Sequence, residues 1–433
     1  MRKSILLGTA AWMMFALAAC SSGQVPVQAT TAAAQTAAPA ETQAQETAAE
    51  EVPTEEETTE EETAAETEAE PVAEETTAEE TTAEETKAEE PEEPPFPVFT
   101  GTPSVADIVV AEVDTEIAGE GSSRELRMNL YSPDGIKEAT PVVIYVHGGK
   151  WSTGDYTCSS LMDGNKENGT FLACMNMLNY GCSVVTADYR LSQEASYPAM
   201  IWDLKGQIRY LRAHAEELNI DPDRIIVWGE SAGGQLVNIL GTTDGVEELE
   251  GDVGGNLEYS SKPTAVVDYF GMTEILQLAP DQYVRPYVQS FQSLYDTNDA
   301  QAATRAQLLG FGGEVEGEGN AYLRGELGNP GNPYENPEIP EYDQAALHRA
   351  YLASALNFVS ADDCPFFICQ GGMDFRVAMV QSERLFDALT KEGVETYLFT
   401  STLQSHGNQG PFADDAAARF VCNQFGLEEP SLY

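Results

Sequence analysis

One stretch of the sequence, residues 225–236, constrains the fold more than any other. The apolar run Ile225–Trp228 leads into Gly229-Glu230-Ser231-Ala232-Gly233, and a helix-compatible segment follows. A strand that enters Gly-x-Ser-x-Gly and leaves as a helix is typical of a nucleophile elbow, in which the serine occupies a strained turn. The two glycines would let strand and helix approach closely. Because this five-residue motif also arises by chance, its meaning depends on the partners that the rest of the chain supplies.

Apolar, β-branched segments recur on both sides of this motif, separated by segments with helical spacing. Continuous apolar runs are expected for strands that are buried on both faces of a sheet. The other predicted strands are residues 106–113, 124–131, 141–146, 182–187, 264–270, 365–370 and 396–400. Predicted helices cover residues 170–180, a segment that opens at Tyr197-Pro198, and segments near 379–389 and 412–425. The alternation predicts an α/β fold with a mostly parallel central sheet and helices on both faces.

The alternation breaks after Gly271 and resumes near Asn357, which predicts a cap-like insertion at about residues 272–357. Loops of this length are usually lids or binding elements. Within the insertion, aromatic residues recur at every fourth position: Tyr283, Tyr287, Phe291 and Tyr295. They could form a wall for a ring-bearing substrate or the buried face of a short cap helix, and we favour the second interpretation.

Residues 1–20 predict an export signal. Arg2 and Lys3 precede an apolar run that is too short to span a membrane comfortably, and small residues follow it. Leu17-Ala18-Ala19-Cys20 resembles the bacterial lipobox, in which the cysteine is lipidated and becomes the new N-terminus. We therefore expect an exported protein that is anchored to the cell membrane through acyl chains on Cys20 and faces outward, or the periplasm in a cell with two membranes.

Residues 21–97 differ in composition from the rest of the chain. They contain 23 glutamates and one lysine and hardly any large apolar residue, so burial cannot offset the entropy of ordering them. They could be an interaction tail, but we favour a disordered acidic spacer. The remaining domain, residues 98–433, has 49 acidic and 19 basic residues, which argues against a nucleic acid partner.

Six cysteines lie in this domain. Export permits disulfides, but Cys182 and Cys369 fall inside predicted core strands, where a buried free thiol is the simpler interpretation. The spacing of the six does not match a zinc site. We expect neither a metal nor an organic cofactor.

A serine hydroxyl becomes a nucleophile when a base takes its proton and a third group orients that base. Of the four histidines, His406 follows the last predicted strand and is the best candidate for the base. His147 precedes two glycines, which suits a backbone-bonding role. We expect His214 and His348 to be surface or packing residues.

Two aspartates compete for the third position. Asp374 follows the predicted strand 365–370, whereas Asp268 lies inside its own apolar run, so we favour Asp374. The candidates then occur in the order Ser231, Asp374, His406. Backbone N–H donors for a developing oxyanion are expected from Ala232, next to the serine, and from the pair of glycines Gly148 and Gly149.

Taken together, these motifs resemble the α/β-hydrolase esterase and lipase superfamily. They are His147-Gly148-Gly149, Asp188-Tyr189-Arg190, Gly229–Gly234, the Gly-x-x-Asp that ends at Asp374, and His406-Gly407. The resemblance runs from about residue 104 to 426 and is closest to carboxylesterase-like enzymes, including hormone-sensitive-lipase-like esterases and bacterial feruloyl and acetyl-xylan esterase-like proteins. It implies an α/β-hydrolase fold with Ser231 as nucleophile, Asp374 as acid, His406 as base, and Gly148, Gly149 and Ala232 as oxyanion donors.

The resemblance implies a serine ester hydrolase that acts through an acyl-enzyme on small-acyl or polysaccharide-linked esters outside the cell. Its base must be neutral, so activity should fail on acidification. One alternative is a serine exopeptidase of the prolyl-oligopeptidase type, although no propeller-sized domain precedes the fold here. Another is a catalytically silent surface binding module.

The sequence departs from the family pattern at two positions. Lys150 stands where the family commonly has a third glycine, and Gln370 replaces the histidine of His-Gly-x-x-Asp. Lys150, Trp151 and Glu230 are candidate substrate contacts. Lys150 could pair with a carboxylate or sugar acid of the substrate, or lie solvated at the rim of the site.

Overall fold

The structure is a computed structural model that describes residues 101–116, 122–162, 169–278, 281, 304–310, 331 and 341–428. All of them belong to the second of the chain's two units, Lys87–Tyr433. The expected signal peptide with Cys20, the acidic segment 21–97 and the four aromatic residues at 283, 287, 291 and 295 lie outside the described residues. Within the described ranges, no helix has both the length and the apolar character needed to cross a membrane.

A single sheet of eight strands forms the centre of the described part of the chain. Its strands are β1 (Val105–Thr115), β2 (Ser122–Tyr131), β3 (Thr140–Val146), β4 (Ser183–Ala187), β5 (Ile220–Glu230), β6 (Ala265–Tyr269), β7 (Phe366–Gly371) and β8 (Thr396–Ser401). The order across the sheet is β1-β2-β4-β3-β5-β6-β7-β8. β2 is antiparallel to both of its neighbours, and every other pairing is parallel. The predicted α/β fold with a mostly parallel sheet is confirmed.

Helices cover both faces of this sheet. They are α1 (Ser159–Met162), α2 (Gly169–Met175), α3 (Ala199–Ala213), α4 (Ala215–Leu218), α5 (Ala232–Thr242), α6 (Glu247–Glu250), α7 (Glu341–Leu352), α8 (Met379–Glu392) and α9 (Pro411–Phe425), with 3-10 turns at Asn176–Tyr180 and Ala355–Asn357. Residues 304–309 are also helical.

The central strands are buried from both sides, which explains their continuous apolar sequence. Along β3, Val142 and Ile144 pack with α3, α5 and α8 in one apolar cluster. The alternate residues Val143 and Tyr145 pack with α2 and α9 in a second cluster. Such alternation follows from the two-residue repeat of a strand. The two apolar clusters, one on each face, therefore hold the carboxyl ends of the parallel strands in fixed positions relative to one another.

The described cysteines are free, buried thiols, as expected for Cys182 and Cys369. Their positions are Cys158, Cys174, Cys182, Cys364, Cys369 and Cys422. Burial raises the pKa of the Cys182 thiol, which keeps it protonated and unreactive. These cysteines contribute to the core as small apolar side chains.

Two described parts of the predicted insertion are attached to the domain built around the sheet. Asp281 is buried and accepts hydrogen bonds from the guanidinium of Arg384 at 2.6 and 2.7 Å. The helical residues 304–309 are held through their carbonyl groups, because Leu308 O accepts from Tyr197 N at 2.8 Å and Leu309 O accepts from Arg349 Nε at 2.5 Å. These contacts bring residues 304–310 to the domain that carries the elbow.

Candidate active site

The turn between β5 and α5 is a strained elbow, as the sequence predicts. Ser231 has φ 53° and ψ −115°, a left-handed region that non-glycine residues rarely adopt. A Cβ atom on Gly229 would lie 2.3 Å from Gly233 O, and one on Gly233 would lie 2.1 Å from Val146 O. Both positions therefore need glycine, since the strand, the helix and neighbouring β3 are in direct backbone contact. This tight turn places Ser231 at the carboxyl end of β5.

The sheet order places two further strand ends beside this serine. The loops after β7 and β8 carry Asp374 and His406. His406 Nε2 lies 2.9 Å from Ser231 Oγ, and His406 Nδ1 lies 2.8 Å from Asp374 Oδ2. A histidine protonated on Nδ1 satisfies both contacts, donating to the carboxylate and accepting from the hydroxyl. The structure thus brings together the three residues that the sequence singled out.

Burial and packing hold the histidine in this position. The side chain of Asp374 is inaccessible to solvent and that of His406 is 8% exposed. The ring of Phe270 packs against the imidazole at a centroid distance of 4.5 Å. Water therefore competes little for the two hydrogen bonds of the imidazole.

The Asp374 carboxylate receives four hydrogen bonds. Its Oδ1 accepts from the backbone N–H of Arg376 at 2.8 Å and of Val377 at 3.0 Å. Its Oδ2 accepts from His406 and from Gln370 Nε2 at 3.1 Å. Hydrogen bonds to the ionised form offset the cost of burying this charge.

Gln370 is a functional position whose role the sequence did not reveal. Ser382 Oγ donates to Gln370 Oε1 at 2.9 Å, which turns the amide so that Nε2 faces Asp374. The sequence marks Gln370 only as a departure from the family's histidine. The serine that orients it lies on α8, and nothing local to either residue indicates the contact.

Asp268, the competing acid, lies elsewhere. It is fully buried, accepts from Asn238 Nδ2 at 2.9 Å and from the Gly271 N–H at 2.8 Å, and faces the start of α5 rather than His406. Burial raises the pKa of Asp268 to about 6. Its contacts connect β6 to α5 beneath the elbow, which is a structural role.

The expected oxyanion donors surround the serine. A Cβ atom on Gly148 would lie 3.4 Å from Ser231 Cβ, so the backbone of Gly148 passes directly beside this serine. Gly149 has φ +111°, and a Cβ there would lie 2.1 Å from Thr153 O, so this position also needs glycine. Ala232 is the first residue of α5, where backbone N–H groups have no acceptor within the helix. Their action on an oxyanion stays a prediction.

His147 supports this loop through the backbone bonding that its position predicts. Its Nδ1 lies 2.7 Å from Gly148 O, and its ring stacks on Tyr189 at 4.4 Å. Burial lowers the pKa of His147 to about 4, so the ring is neutral at physiological pH and can donate from Nδ1. The hydroxyl of Tyr189 in turn donates to His147 O at 3.0 Å.

A pocket with about 40 Å³ of free space opens beside Ser231 and His406. Its described lining is apolar at Trp151, Met272, Leu278 and Val377, and cationic at Lys150, Arg305 and Arg376. Among the candidate substrate contacts, Lys150 and Trp151 line it. Glu230 is 9% exposed and does not belong to its described lining, so its contact with substrate stays a prediction.

Two of the lining cations went unnoticed in the sequence for different reasons. Arg376 lies two residues after Asp374, so its position in the sequence already indicated that it could lie near the site. Arg305 lies in the insertion, where no motif marks it. Only the attachment of residues 304–310 to the domain brings it to the pocket.

Two family models together cover the region that carries these residues. Residues 128–310 match the family described as BD-FAE, and residues 311–424 match the prolyl oligopeptidase family. The chain is 32% identical to the carboxylesterase NlhH of Mycobacterium tuberculosis over 143 residues, which are 33% of this chain and 40% of that protein. The chain has an α/β-hydrolase fold and is similar in sequence to carboxylesterases.

Further relatives agree with this placement. An arylesterase of Saccharolobus solfataricus is 35% identical over 114 residues, 26% of this chain and 33% of the relative. The match thus spans less than half the length of these curated relatives. Among solved structures, a truncated carbohydrate esterase from gut microbiota superposes with a TM-score of 0.55 at 25% identity, over 75% of this chain and 98% of that one.

Proposed function

We propose that this α/β-hydrolase is a serine esterase that cleaves carboxylic esters through an acyl-enzyme. One observation carries the proposal: Ser231 Oγ, both imidazole nitrogens of His406 and Asp374 Oδ2 form a continuous hydrogen-bonded line beside an open pocket. This arrangement can remove the serine proton and stabilise the resulting imidazolium. The names of the carboxylesterase and arylesterase relatives support the ester bond as the target.

The geometry suggests the following reaction. Ser231 Oγ attacks the ester carbonyl carbon while His406 Nε2 takes its proton, and the carbonyl oxygen becomes an oxyanion that Gly148, Gly149 and Ala232 stabilise. The tetrahedral adduct collapses, the alcohol leaves with the proton from Nε2, and the acyl group stays on Ser231. Water then attacks the acyl-enzyme with His406 again as base, releasing the acid and restoring the serine. No step requires a metal or a cofactor.

The proposed substrates are small-acyl or polysaccharide-linked esters outside the cell. The free space beside Ser231, about 40 Å³, is small, which favours a short acyl group over a long lipid chain. The carbohydrate esterase among the solved structures supports a sugar-linked ester. The predicted lipid anchor at Cys20 and the acidic spacer would hold the enzyme outside the membrane.

A second candidate is a serine exopeptidase. The match of residues 311–424, which include Asp374 and His406, to the prolyl oligopeptidase family favours this alternative. The same three residues would attack an amide instead of an ester. A silent binding module is a third possibility, and the hydrogen-bonded line at Ser231 argues against it.

A comparison of ester and amide substrates tests these functions. We expect wild-type protein to hydrolyse short-chain nitrophenyl esters well above background and to leave aminoacyl-nitroanilides intact, and Ser231→Ala to abolish ester cleavage. Faster cleavage of the nitroanilides would favour the peptidase. If wild type and Ser231→Ala cleave neither class, the enzyme proposal is wrong.

A further inference from the structure

The pocket beside Ser231 contrasts in charge with the rest of the domain. Residues 98–433 contain 49 acidic and 19 basic side chains. The described residues that line the pocket nevertheless include three bases, Lys150, Arg305 and Arg376, and no acid. The Asp374 carboxylate is already bonded to His406. A site that concentrates cations in an acidic protein attracts and orients anions.

Lys150 is held at this pocket by an unusual backbone. Lys150 and Trp151 both have φ 57°, the left-handed region that bulky residues rarely enter. Two hydrogen bonds fix the pair: Ser192 N donates to Trp151 O at 2.7 Å, and Trp151 Nε1 donates to Gln235 Oε1 at 3.1 Å. Strained backbone that its surroundings hold in place is concentrated at functional sites. The ammonium group therefore extends from a fixed point next to the oxyanion glycines.

The charge on Lys150 is available to a ligand. Its side chain is exposed, and within the described ranges no carboxylate forms an ion pair with it. Arg376 is exposed at the same pocket, whereas Arg305 is 2% exposed. The cations thus extend from the solvent edge into the interior of the cavity.

The apolar and the cationic lining residues suit different parts of a substrate. Trp151, Met272 and Val377 offer apolar surface for a carbon skeleton. Guanidinium and ammonium groups form their strongest hydrogen bonds with anionic oxygens, and the planar guanidinium can bind a carboxylate with two parallel bonds. A neutral ester offers these groups only carbonyl and ether oxygens, which accept weaker hydrogen bonds than a carboxylate does.

We propose that the esters cleaved at Ser231 carry a free carboxylate, which Lys150 and Arg376, with Arg305 deeper in the pocket, bind while the ester carbonyl lies at the serine. This inference rests on the esterase function proposed above and defines its substrate class. Half-esters of dicarboxylic acids carry the carboxylate on the acyl side. Esters of hydroxy acids, including acidic sugars, carry it on the alcohol side.

Two matched pairs of substrates separate these cases. The acyl-side pair is mono-4-nitrophenyl glutarate and its methyl ester, and the alcohol-side pair is 4-acetoxybenzoate and its methyl ester. Within each pair only the charge and one methyl group differ. The measured quantity is the ratio of kcat/KM for the anionic member to that for the neutral member, obtained with the full chain.

We expect wild-type protein to favour the anionic member of at least one pair, and Lys150→Met to reduce that ratio about tenfold because a charge-assisted hydrogen bond is lost. Methionine keeps an unbranched side chain that lacks only the ammonium group, and it has the same left-handed backbone requirement. Lys150→Glu should reverse the preference, and Arg376→Gln should lower it. Lys137→Met is the matched control, because Lys137 is an exposed lysine outside the pocket lining, and its ratio should match that of wild type.

Each other outcome contradicts the inference. Equal or lower turnover of the anionic member in both pairs would refute carboxylate recognition. An equal loss for both members in Lys150→Met would instead assign Lys150 to the oxyanion, and an equal effect of Lys137→Met would indicate a general effect of net charge. The neutral esters report on the esterase proposal separately: if Ser231-dependent turnover is absent for all four substrates, that proposal fails and this one with it.

Discussion

Replacing Asp374 by asparagine should cost far more activity than the same replacement at Asp268. In the Asp374→Asn protein, the amide oxygen is required at the Oδ1 position, where the N–H groups of Arg376 and Val377 donate at 2.8 and 3.0 Å. The amide NH2 then occupies the Oδ2 position and faces His406 Nδ1. The imidazole must present an unprotonated Nδ1 to it and carry its proton on Nε2, where it can no longer accept from Ser231.

This change of tautomer sets the size of the effect. A histidine held in the wrong tautomer cannot act as the base, and loss of the acid in comparable triads lowers kcat by about 10⁴-fold. That loss corresponds to about 5 kcal/mol of transition-state stabilisation. We therefore expect kcat of Asp374→Asn on a nitrophenyl ester to fall by about 10³- to 10⁴-fold.

Asp268 provides the matched control. It is also a buried aspartate at a strand of the same sheet, so its replacement removes the same charge. Asparagine can still accept from the Gly271 N–H, and rotation of the Asn238 amide can offer its Oδ1, which has no hydrogen-bond partner among the described residues, to the new NH2 group. We expect kcat of Asp268→Asn to stay within about tenfold of wild type, because it touches no reacting group.

Steady-state hydrolysis of a short-chain nitrophenyl ester at pH 7.5 measures both variants, with circular dichroism to verify folding. Equal losses in the two folded variants would show that the acid acts only through charge or stability. A larger loss at Asp268 would make that residue the catalytic acid and would refute the role given to Asp374.

Two further predictions concern the buried polar groups around the site. Because burial raises the pKa of Asp268 from 3.8 to about 6, the folded state holds its proton more tightly than the unfolded state, and the stability that this group provides falls as pH rises from about 4 to 6. The free energy of unfolding of Asp268→Asn should therefore rise by about 2 kcal/mol relative to that of wild type between pH 4 and pH 7.5, measured by denaturant unfolding. A difference between the two proteins that does not change with pH would contradict this. Gln370→Met removes a hydrogen bond to the buried carboxylate of Asp374 and leaves Ser382 Oγ without its acceptor, so the free energy of unfolding should fall by about 2–4 kcal/mol. Gln370→Glu keeps an acceptor for Ser382 but places a second carboxylate against Asp374, so it should be at least as unstable as Gln370→Met. Wild-type stability in both variants would show that the Gln370 amide does not support Asp374.

Local pattern was enough to predict most of the fold. The central strands contain continuous apolar segments, because a strand buried on both faces has no polar side to present; β3 and the second half of β5 illustrate this directly. Helix α3 begins next to Tyr197-Pro198 and α9 covers almost the predicted range. The bounds differ by a few residues, since hydrogen bonding to neighbours decides where an element ends.

The three residues of the hydrogen-bonded line were also predictable from sequence. Ser231, Asp374 and His406 each follow a strand, and parallel strands bring their carboxyl ends to one edge of the sheet. The glycines at 229 and 233 are required by contacts that any such elbow makes. These positions could be predicted because each depends on a short segment of sequence and on the arrangement that all parallel sheets share.

The residues around the hydrogen-bonded line of Ser231, His406 and Asp374 could not be predicted from sequence, because the tertiary structure decides which of them meet there. Gln370 supports Asp374 only because Ser382, on a helix that packs against the sheet, turns its amide. One pocket brings together Lys150, Arg305 and Arg376, although 155 positions separate the first two. Each of the three reaches the pocket from a different connection between strands. The sequence of this protein thus determined its fold class and the order of Ser231, Asp374 and His406, which depend on local periodicity and strand ends. The charge and shape of the pocket depend on how distant loops pack together, and only the folded chain decides that.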